Sequence, residues 1–538
     1  MVEEYLNFVS KEWFNSKPRP FVEFAIGEIE KKWDEKKFFV IEAPTGYGKS
    51  TISASLALYS IEEEFKCIVA YPLRSLLEDQ FKKFSKLAKE ESVGKRYMHN
   101  PDSPYLIKPI TLTTVDTLAL NLFGIPPEDL ENVQAGRSYG HYFFSIASVL
   151  LSNLILDEVH ILADSTKSLT FLASLMKTAE DFDQRLFLMS ATLPNALKRR
   201  IEEIGSAKFI SFEKSNDRDF YSQRIGKRYD LEVKELSKEE KFGKILGWIK
   251  EEDFSKALVI FNTIEEATNF YDILKSNGYE SLLIHSRFTE RDREEKVKKL
   301  KETEIVVSTQ VVEAGMDFSS DLLVTDLAPA SSLIQRFGRF LRYDEEEGRI
   351  FVWFEKIEGD FYKVYSKDLV ERTLQWLWKN SNILNVHLPA VDNGKGYADF
   401  LDAVYTQGDF VVDKNIVEEL RMTYNYLENL SKRSLETLLR MMGSFVRDEI
   451  LIPVTVKKDE NLSVSEFVKE CVIPVSFGSF KRLQIKGAYL RDDNNRLKFE
   501  KVELNKYDPK SVFKTIFRKN IVAFVIDADY DSSSGLRL

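Results

Sequence analysis

Apolar and polar positions along the chain follow two repeating patterns. From residue 38 to about 212, short apolar runs alternate with stretches whose apolar positions recur every three or four residues. The runs predict strands at 38–42, 67–71, 109–113, 153–157 and 185–190, each too evenly apolar to have a wet face. The stretches between them predict helices, so a parallel sheet covered on both faces is expected. A charged stretch, Glu213–Asp219, interrupts the pattern. A second alternation follows, with strands predicted at 229–235, 257–261, 281–284, 305–308, 322–325 and 349–353. Within it, 290–302 reads as a charged helix with a solvated face, carrying Glu294/Lys298 and Glu295/Lys299 four residues apart.

The ends of the chain read differently. Residues 1–37 predict charged helix anchored by Trp13, Phe14, Phe21, Phe24 and Trp33. Residues 356–445 carry helical periodicity, and 446–538 turn β-rich, with strands predicted at 450–454, 472–475 and 521–526. The expected fold is α/β: two tandem parallel-sheet domains, a helical linker and a smaller C-terminal α+β domain. The boundaries fall at 1–37, 38–215, 216–355, 356–445 and 446–538.

Composition narrows this picture in a few ways. The 538 residues exceed one core, and about three to four domains are expected. A net charge of −10 excludes a uniformly basic nucleic-acid binder but leaves room for a local basic channel. Cys67 and Cys471 are the two cysteines; their apolar surroundings and lack of ligand spacing read as buried free thiols in a reducing compartment. The acidic N-terminus does not read as a signal peptide, and the longest apolar run, 143–156, is too short to span a bilayer. A cytoplasmic protein without membrane contact is expected.

The strongest chemical signal is Ala43-Pro44-Thr45-Gly46-Tyr47-Gly48-Lys49-Ser50, with Thr51 opening the helix that follows. Strand, glycine-bearing loop with Lys-Ser, then helix is the context of a phosphate-binding loop. Gly46 and Gly48 let backbone N–H groups close on phosphate oxygens. Lys49 supplies a point charge for the β- and γ-phosphates, and Ser50 a hydroxyl for Mg²⁺. ATP with Mg²⁺ is the expected cofactor pair. The competing reading is a glycine-rich turn before a core helix; Ala43 stands where the usual pattern has Gly.

About a hundred residues on, the strand 153–157 delivers Asp157 and Glu158 at its carboxyl end, followed by His160. Asp157 is placed to hold Mg²⁺ and Glu158 to orient and deprotonate the attacking water. His160 is placed to sense the nucleotide and contact Ser190-Ala191-Thr192, whose Ser190 and Thr192 hydroxyls would relay the state of the γ-phosphate. Alone, either segment is an ordinary strand exit. The second α/β unit adds Gln335, Arg336 and Arg339 near a helix start, and arginine suits a γ-phosphate because its fork pairs with two oxygens. The bland alternative is a basic helix end facing Asp344–Glu347.

Together these segments resemble superfamily 2 nucleic-acid helicases with two RecA-like domains, over about 20–355. Glu23 stands where such enzymes often carry an adenine-reading Gln. The resemblance implies strand contacts at Pro72, Arg74, Ser75 and Thr114 in the first domain and at Asn262, Ser286, Arg287, Thr309 and Gln310 in the second. It also implies nucleotide contacts from Gly315 and Asp317. Such contacts grip the phosphate backbone without reading sequence.

A narrower resemblance rests on Asp157-Glu158-Val159-His160, Ser190-Ala191-Thr192-Leu193-Pro194, Val312–Leu322, Leu327-Ala328-Pro329, Ser332–Arg336 and the tail Tyr530–Leu536. These look like the CRISPR-associated helicase of type I interference systems. That resemblance implies 3′-to-5′ movement on single-stranded DNA and recruitment to an RNA-guided surveillance complex. Many members carry a metal-dependent nuclease with a His-Asp pair. None of the five histidines here (His99, His141, His160, His285, His387) precedes Asp. A stand-alone helicase subunit with a separate HD-type nuclease partner is therefore expected. Other superfamily 2 motors, such as an RNA helicase or a restriction-type translocase, use the same site residues. A catalytically weak helicase-like scaffold is the reading from a different class. Nothing in the sequence bears on oligomeric state.

Overall fold

A computed structural model describes the chain except for residues 1, 90, 98–101, 130–131, 134–136, 164, 314–315, 356–361, 363, 423–429, 442, 449–450, 458–460 and 493. Side chains of 421–422 and 430–431 are likewise outside the description.

The first unit is a seven-stranded, all-parallel sheet. Its strands are β1 (Phe38–Glu42), β2 (Lys66–Tyr71), β3 (Val93–Arg96), β4 (Ile110–Thr114), β5 (Ser152–Leu156), β6 (Leu186–Ser190) and β7 (Ala207–Ser211). Their order is β3-β4-β2-β5-β6-β1-β7. In β1 every residue is buried, and alternate side chains serve opposite faces: Phe38 and Val40 join one core, Phe39 and Ile41 the other. Each such burial contributes about 1.5–3 kcal/mol. Helices Val2–Phe14 and Pro20–Lys31 close the second face, where Trp33 and Phe39 both stack on Phe187.

The second unit is a six-stranded, all-parallel sheet. It comprises β8 (Arg228–Leu236), β9 (Ala257–Ile260), β10 (Ser281–Ile284), β11 (Ile305–Ser308), β12 (Leu322–Asp326) and β13 (Glu347–Glu355), in the order β10-β11-β9-β12-β13-β8. One apolar core runs without a break from the first unit into the second and on to helices Lys367–Asn380 and Tyr397–Val404. Short strands β14 (Leu384–Asn385) and β15 (Lys395–Gly396) lie between those helices. The two parallel sheets are RecA-like cores, and a further α+β region follows them.

That region holds β16 (Leu451–Thr455), β17 (Ile473–Ser476), β18 (Ile485–Arg491), β19 (Leu497–Glu500) and β20 (Ile521–Ile526) in a mixed sheet. The chain ends in a small antiparallel pair, β21 (Tyr530–Asp531) and β22 (Gly535–Leu536). The region and the segment before it touch both cores. Arg447 donates to Asp116 Oδ2 and to the Pro72 carbonyl, each at 2.8 Å, and Phe445 packs on Phe123. The tail meets the second core: Leu536 N donates to the Arg287 carbonyl at 3.0 Å and Lys296 Nζ to the Ser533 carbonyl at 2.8 Å.

This docking changes the expectation for the charged helix, which spans Glu290–Lys299. It is not a free solvated face. Lys296 is buried, Glu294 pairs with Lys469 at 3.0 Å, and Arg291 reaches Glu470 at 3.2 Å. Strands β3 and β7, absent from the predicted set, are the two edges of the first sheet. Each has a single neighbour and carries polar side chains, which dilutes the apolar run that marks a central strand. Cys67 and Cys471 are buried and not joined in a disulfide, as expected. No helix among the described residues is long and apolar enough to cross a membrane.

Candidate nucleotide site

The loop Ala43–Gly48 joins β1 to helix Lys49–Glu62. Ala43 and Pro44 are buried, and Ala43 N is tied to the Ser190 carbonyl at 3.1 Å. Gly46 and Gly48 take φ of +77° and +122°, which releases the backbone to wrap inward. The helix begins at Lys49 with no side-chain cap, leaving its N-terminal N–H groups to face the cleft. Lys49 is buried, with Nζ donating to the Ala43 carbonyl at 3.2 Å. Ser50 and the buried Thr51 form the first turn. Tyr47 is fully buried; its hydroxyl accepts from Phe21 N at 3.1 Å and donates to Asp217 at 2.5 Å, which fixes the back of the loop.

Asp157 and Glu158 leave the end of β5 on the neighbouring wall. Glu158 holds φ of +51°, a left-handed conformation that costs a non-glycine residue about 1–2 kcal/mol. Burial and the adjacent Glu158 carboxylate push Asp157 up to about 7, against the pull of Lys49. Burial would also raise Glu158, but Lys49, His160, Arg339 and Arg342 outweigh it and hold Glu158 below its ordinary range.

The expected link from His160 to the Ser-Ala-Thr segment is present: His160 Nδ1 lies 3.1 Å from Ser190 Oγ and 3.5 Å from Glu158 Oε2. Burial lowers the His160 pKa. Ser190 Oγ donates to the Thr192 carbonyl at 3.1 Å. Glu42 organises this segment and has no sequence signal of its own. Buried at the end of β1, it accepts from Leu193 N at 2.7 Å, Thr192 Oγ1 at 3.3 Å and Ser211 Oγ at 2.6 Å, and pairs with Lys198 at 2.7 Å.

The second core closes directly on the loop. A Cβ on Gly338 would lie 3.0 Å from Thr45 Oγ1, and one on Gly46 would lie 3.3 Å from Arg342 Nε. A cleft lined by Thr45, Arg224, Gly338, Arg342, His387 and Tyr397 remains between them. Arg339 commits Nε to the Val312 carbonyl at 3.0 Å and Nη2 to the Glu313 carbonyl at 2.9 Å. Its Nη1 is buried without a hydrogen-bond partner, as are Arg342 Nε and Glu158 Oε2. Three unsatisfied polar atoms, two cationic and one anionic, thus flank the loop from both walls. Arg342 lies within the arginine-rich segment read from the sequence but outside the candidate set.

Arg336 is placed differently from Arg339. It is fully buried and all five N–H groups stay inside the second core. They reach Glu313 at 2.8 Å, Thr325 Oγ1 and the Asp326 carbonyl at 2.8 Å each, Asn262 Oδ1 at 2.9 Å and Tyr365 at 3.0 Å. The expectation that Arg336 faces the phosphates does not match this arrangement. Gln335 is buried in a small cavity beside His160 and Thr192. Asp317 is bonded by Tyr343 and approached by Lys301 at 3.3 Å and Arg342 at 3.8 Å. Gly315 lies outside the described residues.

The residues expected to grip a strand follow the carboxyl ends of parallel strands, the edge where open sheets bind ligands. Pro72, Arg74 and Ser75 follow β2, Thr114 ends β4, Asn262 follows β9, Ser286 and Arg287 follow β10, and Thr309 and Gln310 follow β11. Several are engaged within the protein. Asn262 accepts from Arg336 and donates to the Leu327 carbonyl at 2.6 Å, and Gln310 donates to the Asn262 carbonyl at 2.9 Å. Arg287 pairs with Glu265 at 2.9 Å and reaches Ser479 of the C-terminal region at 3.2 Å.

The arrangement matches known sequences in two blocks. The DEAD/DEAH box helicase family profile matches residues 25–199, and the C-terminal profile of the CRISPR-associated nuclease/helicase Cas3 matches 253–345. A putative CRISPR-associated nuclease/helicase Cas3 of Methanocaldococcus jannaschii is 26% identical over 422 residues, covering 69% of this chain and 52% of that protein. The CRISPR-associated helicase Cas3 of Thermoproteus tenax is 25% identical over 368 residues, covering 63% of this chain and 59% of that one. The chain thus spans about half the length of these curated relatives. The crystal structure of T. fusca Cas3 with AMPPNP shares the fold, with a TM-score of 0.64 and 16% identity over 99% of this chain and 72% of that one. A structure titled CRISPR RNA-guided surveillance complex, pre-nicking, contains a chain with a TM-score of 0.62 and 15% identity, over 97% of this chain and 70% of that one.

Proposed function

We propose, for a chain that belongs to the CRISPR-associated superfamily 2 helicases, an ATP-driven motor on single-stranded DNA that moves 3′-to-5′ in type I interference. It is recruited by an RNA-guided surveillance complex, and a separate nuclease subunit does the cutting. One observation carries the motor reading. The loop at Lys49, the Asp157–Glu158 pair and the second-core arginines Arg339 and Arg342 converge, with Glu158 Oε2, Arg339 Nη1 and Arg342 Nε buried and lacking a hydrogen-bond partner.

The donor set fits a magnesium–nucleoside triphosphate. Ser50 and Asp157 are the oxygen ligands available to the metal, which when bound supplies neutralisation of phosphate charge. Lys49 and the uncapped helix start hold the phosphate chain. Glu158, kept ionised by its cationic neighbours, orients the attacking water and takes its proton. Arg339 and Arg342 present their free N–H groups to the charge that develops on the transferring group. Because those arginines belong to the second core, hydrolysis and the separation of the cores are one coordinate, and domain closure of this kind drives stepping. His160, Ser190 and Thr192 link Glu158 to the strand-side loops. The structure titled as a surveillance complex supports the recruiting partner.

The test is ATP hydrolysis by the full chain with single-stranded DNA and RNA of equal length. Greater stimulation by DNA is expected; greater stimulation by RNA would transfer the chain to the RNA helicases.

A further inference from the structure

The linker that follows the second core brings two polar side chains up to the nucleotide loop. His387 follows β14, and Tyr397 opens helix Tyr397–Val404. Both lie beyond the blocks 25–199 and 253–345 that match known families. With Thr45, Arg224, Gly338 and Arg342 they line the cleft between the loop and the second core. They are 8% and 3% exposed, and neither His387 Nε2 nor the Tyr397 hydroxyl has a hydrogen-bond partner. Arg342 Nε, in the same lining, is also buried without one. A buried polar atom left unpaired costs its full desolvation, so three around one cavity point to a polar guest.

The charges there select an anion. Arg224 donates to the Leu341 and Arg342 carbonyls at 3.0 and 2.8 Å and forms no ion pair among the described residues. Burial, then the like charges of Arg19 and Arg342, push its pKa down to about 10, with Glu345 acting the other way. The Glu42 carboxylate is close enough to act on Tyr397, but Lys198 at 2.7 Å and Leu193 N at 2.7 Å already hold it. Burial first, then Arg224 and Lys227, push His387 down to about 3, so its imidazole is neutral. Its ring is fixed between Phe340, stacked at 6.1 Å, and Tyr229, edge-on at 5.4 Å. Two guanidiniums, a hydroxyl and a neutral imidazole nitrogen suit hydrogen phosphate. Its charged oxygens accept from the arginines and the tyrosine, and its P–OH and P–O⁻ groups satisfy Nε2 in either tautomer. Thr45 and Arg342 border both this cavity and the nucleotide loop, so the phosphate cleaved at the loop is the nearest source of such an anion.

We propose that this cavity is an orthophosphate site, which takes the phosphate released at the Lys49 loop and holds it among Arg224, Arg342, His387 and Tyr397 before it leaves. The proposal rests on the reading that this chain hydrolyses ATP at that loop. Because His387 and Tyr397 belong to the linker, the bound phosphate ties the linker to both cores, and its departure frees them to separate.

In the experiment the full chain is loaded with magnesium and AMPPNP, which fills the γ-phosphate position, and dialysed to equilibrium against radiolabelled orthophosphate. A single phosphate per chain should bind. Tyr397→Phe should weaken it by about tenfold, the loss of one hydrogen bond to a charged group. That substitution removes an oxygen that no protein atom engages, so folding loses no bond. The second readout is inhibition of steady-state ATP hydrolysis by added orthophosphate. It should be non-competitive with ATP, with an inhibition constant about tenfold higher in Tyr397→Phe. Phosphate that binds only without AMPPNP, or that inhibits purely in competition with ATP, occupies the nucleotide site itself and overturns the proposal while the motor reading stands. Phosphate bound equally by wild type and Tyr397→Phe is an adventitious ion only and overturns it too, as does AMPPNP-loaded chain that takes up no phosphate. A chain that neither takes up AMPPNP nor hydrolyses ATP overturns both readings.

Discussion

Arg342 of the second core lies against Gly46 of the first: a Cβ on that glycine would sit 3.3 Å from Nε and 3.5 Å from Nη2. The contact joins the phosphate loop to the opposite wall of the cleft. Gly46→Ala would put a side chain at φ of +77° and press on that guanidinium. Arg342→Ala would remove one of the two unpaired arginine groups. Both variants should lower kcat for ATP hydrolysis, Arg342→Ala by about 10³, the lower end for loss of an arginine finger. Steady-state phosphate release at saturating ATP checks this, with an unchanged rate counting against the split site.

Arg336 and Arg339 are three residues apart and should fail in different ways. Arg336→Ala would leave the Glu313 carboxylate inside the second core without its ion-pair partner. Breaking a buried pair of this kind costs about 3–5 kcal/mol, which a denaturant titration would read as a lower midpoint. Arg339→Ala should leave the midpoint nearer wild type and depress kcat. The opposite assignment, with Arg336→Ala folded normally but inactive, would return Arg336 to the phosphates.

Stability should fall in acid partly through His285. Burial first, then Arg287 and Lys296, push its pKa down to about 3 against an unfolded value near 6.5, and its Nε2 faces the Ser534 carbonyl of the tail at 3.1 Å. The unfolded chain therefore binds a proton that the folded one refuses. The stabilisation is complete above pH 6.5 and is lost as pH falls towards 3, by at most about 1.4 kcal/mol per pH unit. His387 is driven the same way and adds its own slope. In denaturant titrations from pH 7 to 4.5, the stability gap between wild type and His285→Asn should narrow as pH falls. A gap that stays constant would mean that His285 takes up its proton in the folded chain as readily as in the unfolded one.

The central strands and the first wall of the site were legible because each is written in consecutive residues. A buried parallel strand is a continuous apolar run, and the loop at Gly46–Ser50 and the pair Asp157–Glu158 each sit at the end of one. Edge strands β3 and β7 escaped because single-sided pairing tolerates polar residues. Glu42 was illegible for a different reason: its partners Thr192, Leu193, Lys198 and Ser211 are about 150 residues away, and only folding shows that they converge. The same holds for the tail on the His285 loop and for the docking of helix Glu290–Lys299. Spacing placed Arg336 and Arg339 near a helix start, whereas Arg336 sits in the last turn of helix Ala330–Phe337 and Arg339 just past it; which of them turns inward depends on Thr325, Asp326 and Asn262, contributed by other strands and loops.

The central claim is that the Lys49 loop is one half of a working ATP site split between two cores. Its most direct measurement is phosphate release by the full chain with saturating single-stranded DNA, comparing wild type with Lys49→Ala. Loss of the lysine charge at the phosphates should reduce the rate by about 10² or more, as for removal of a comparable electrostatic contact. Equal rates for the two proteins would contradict the account.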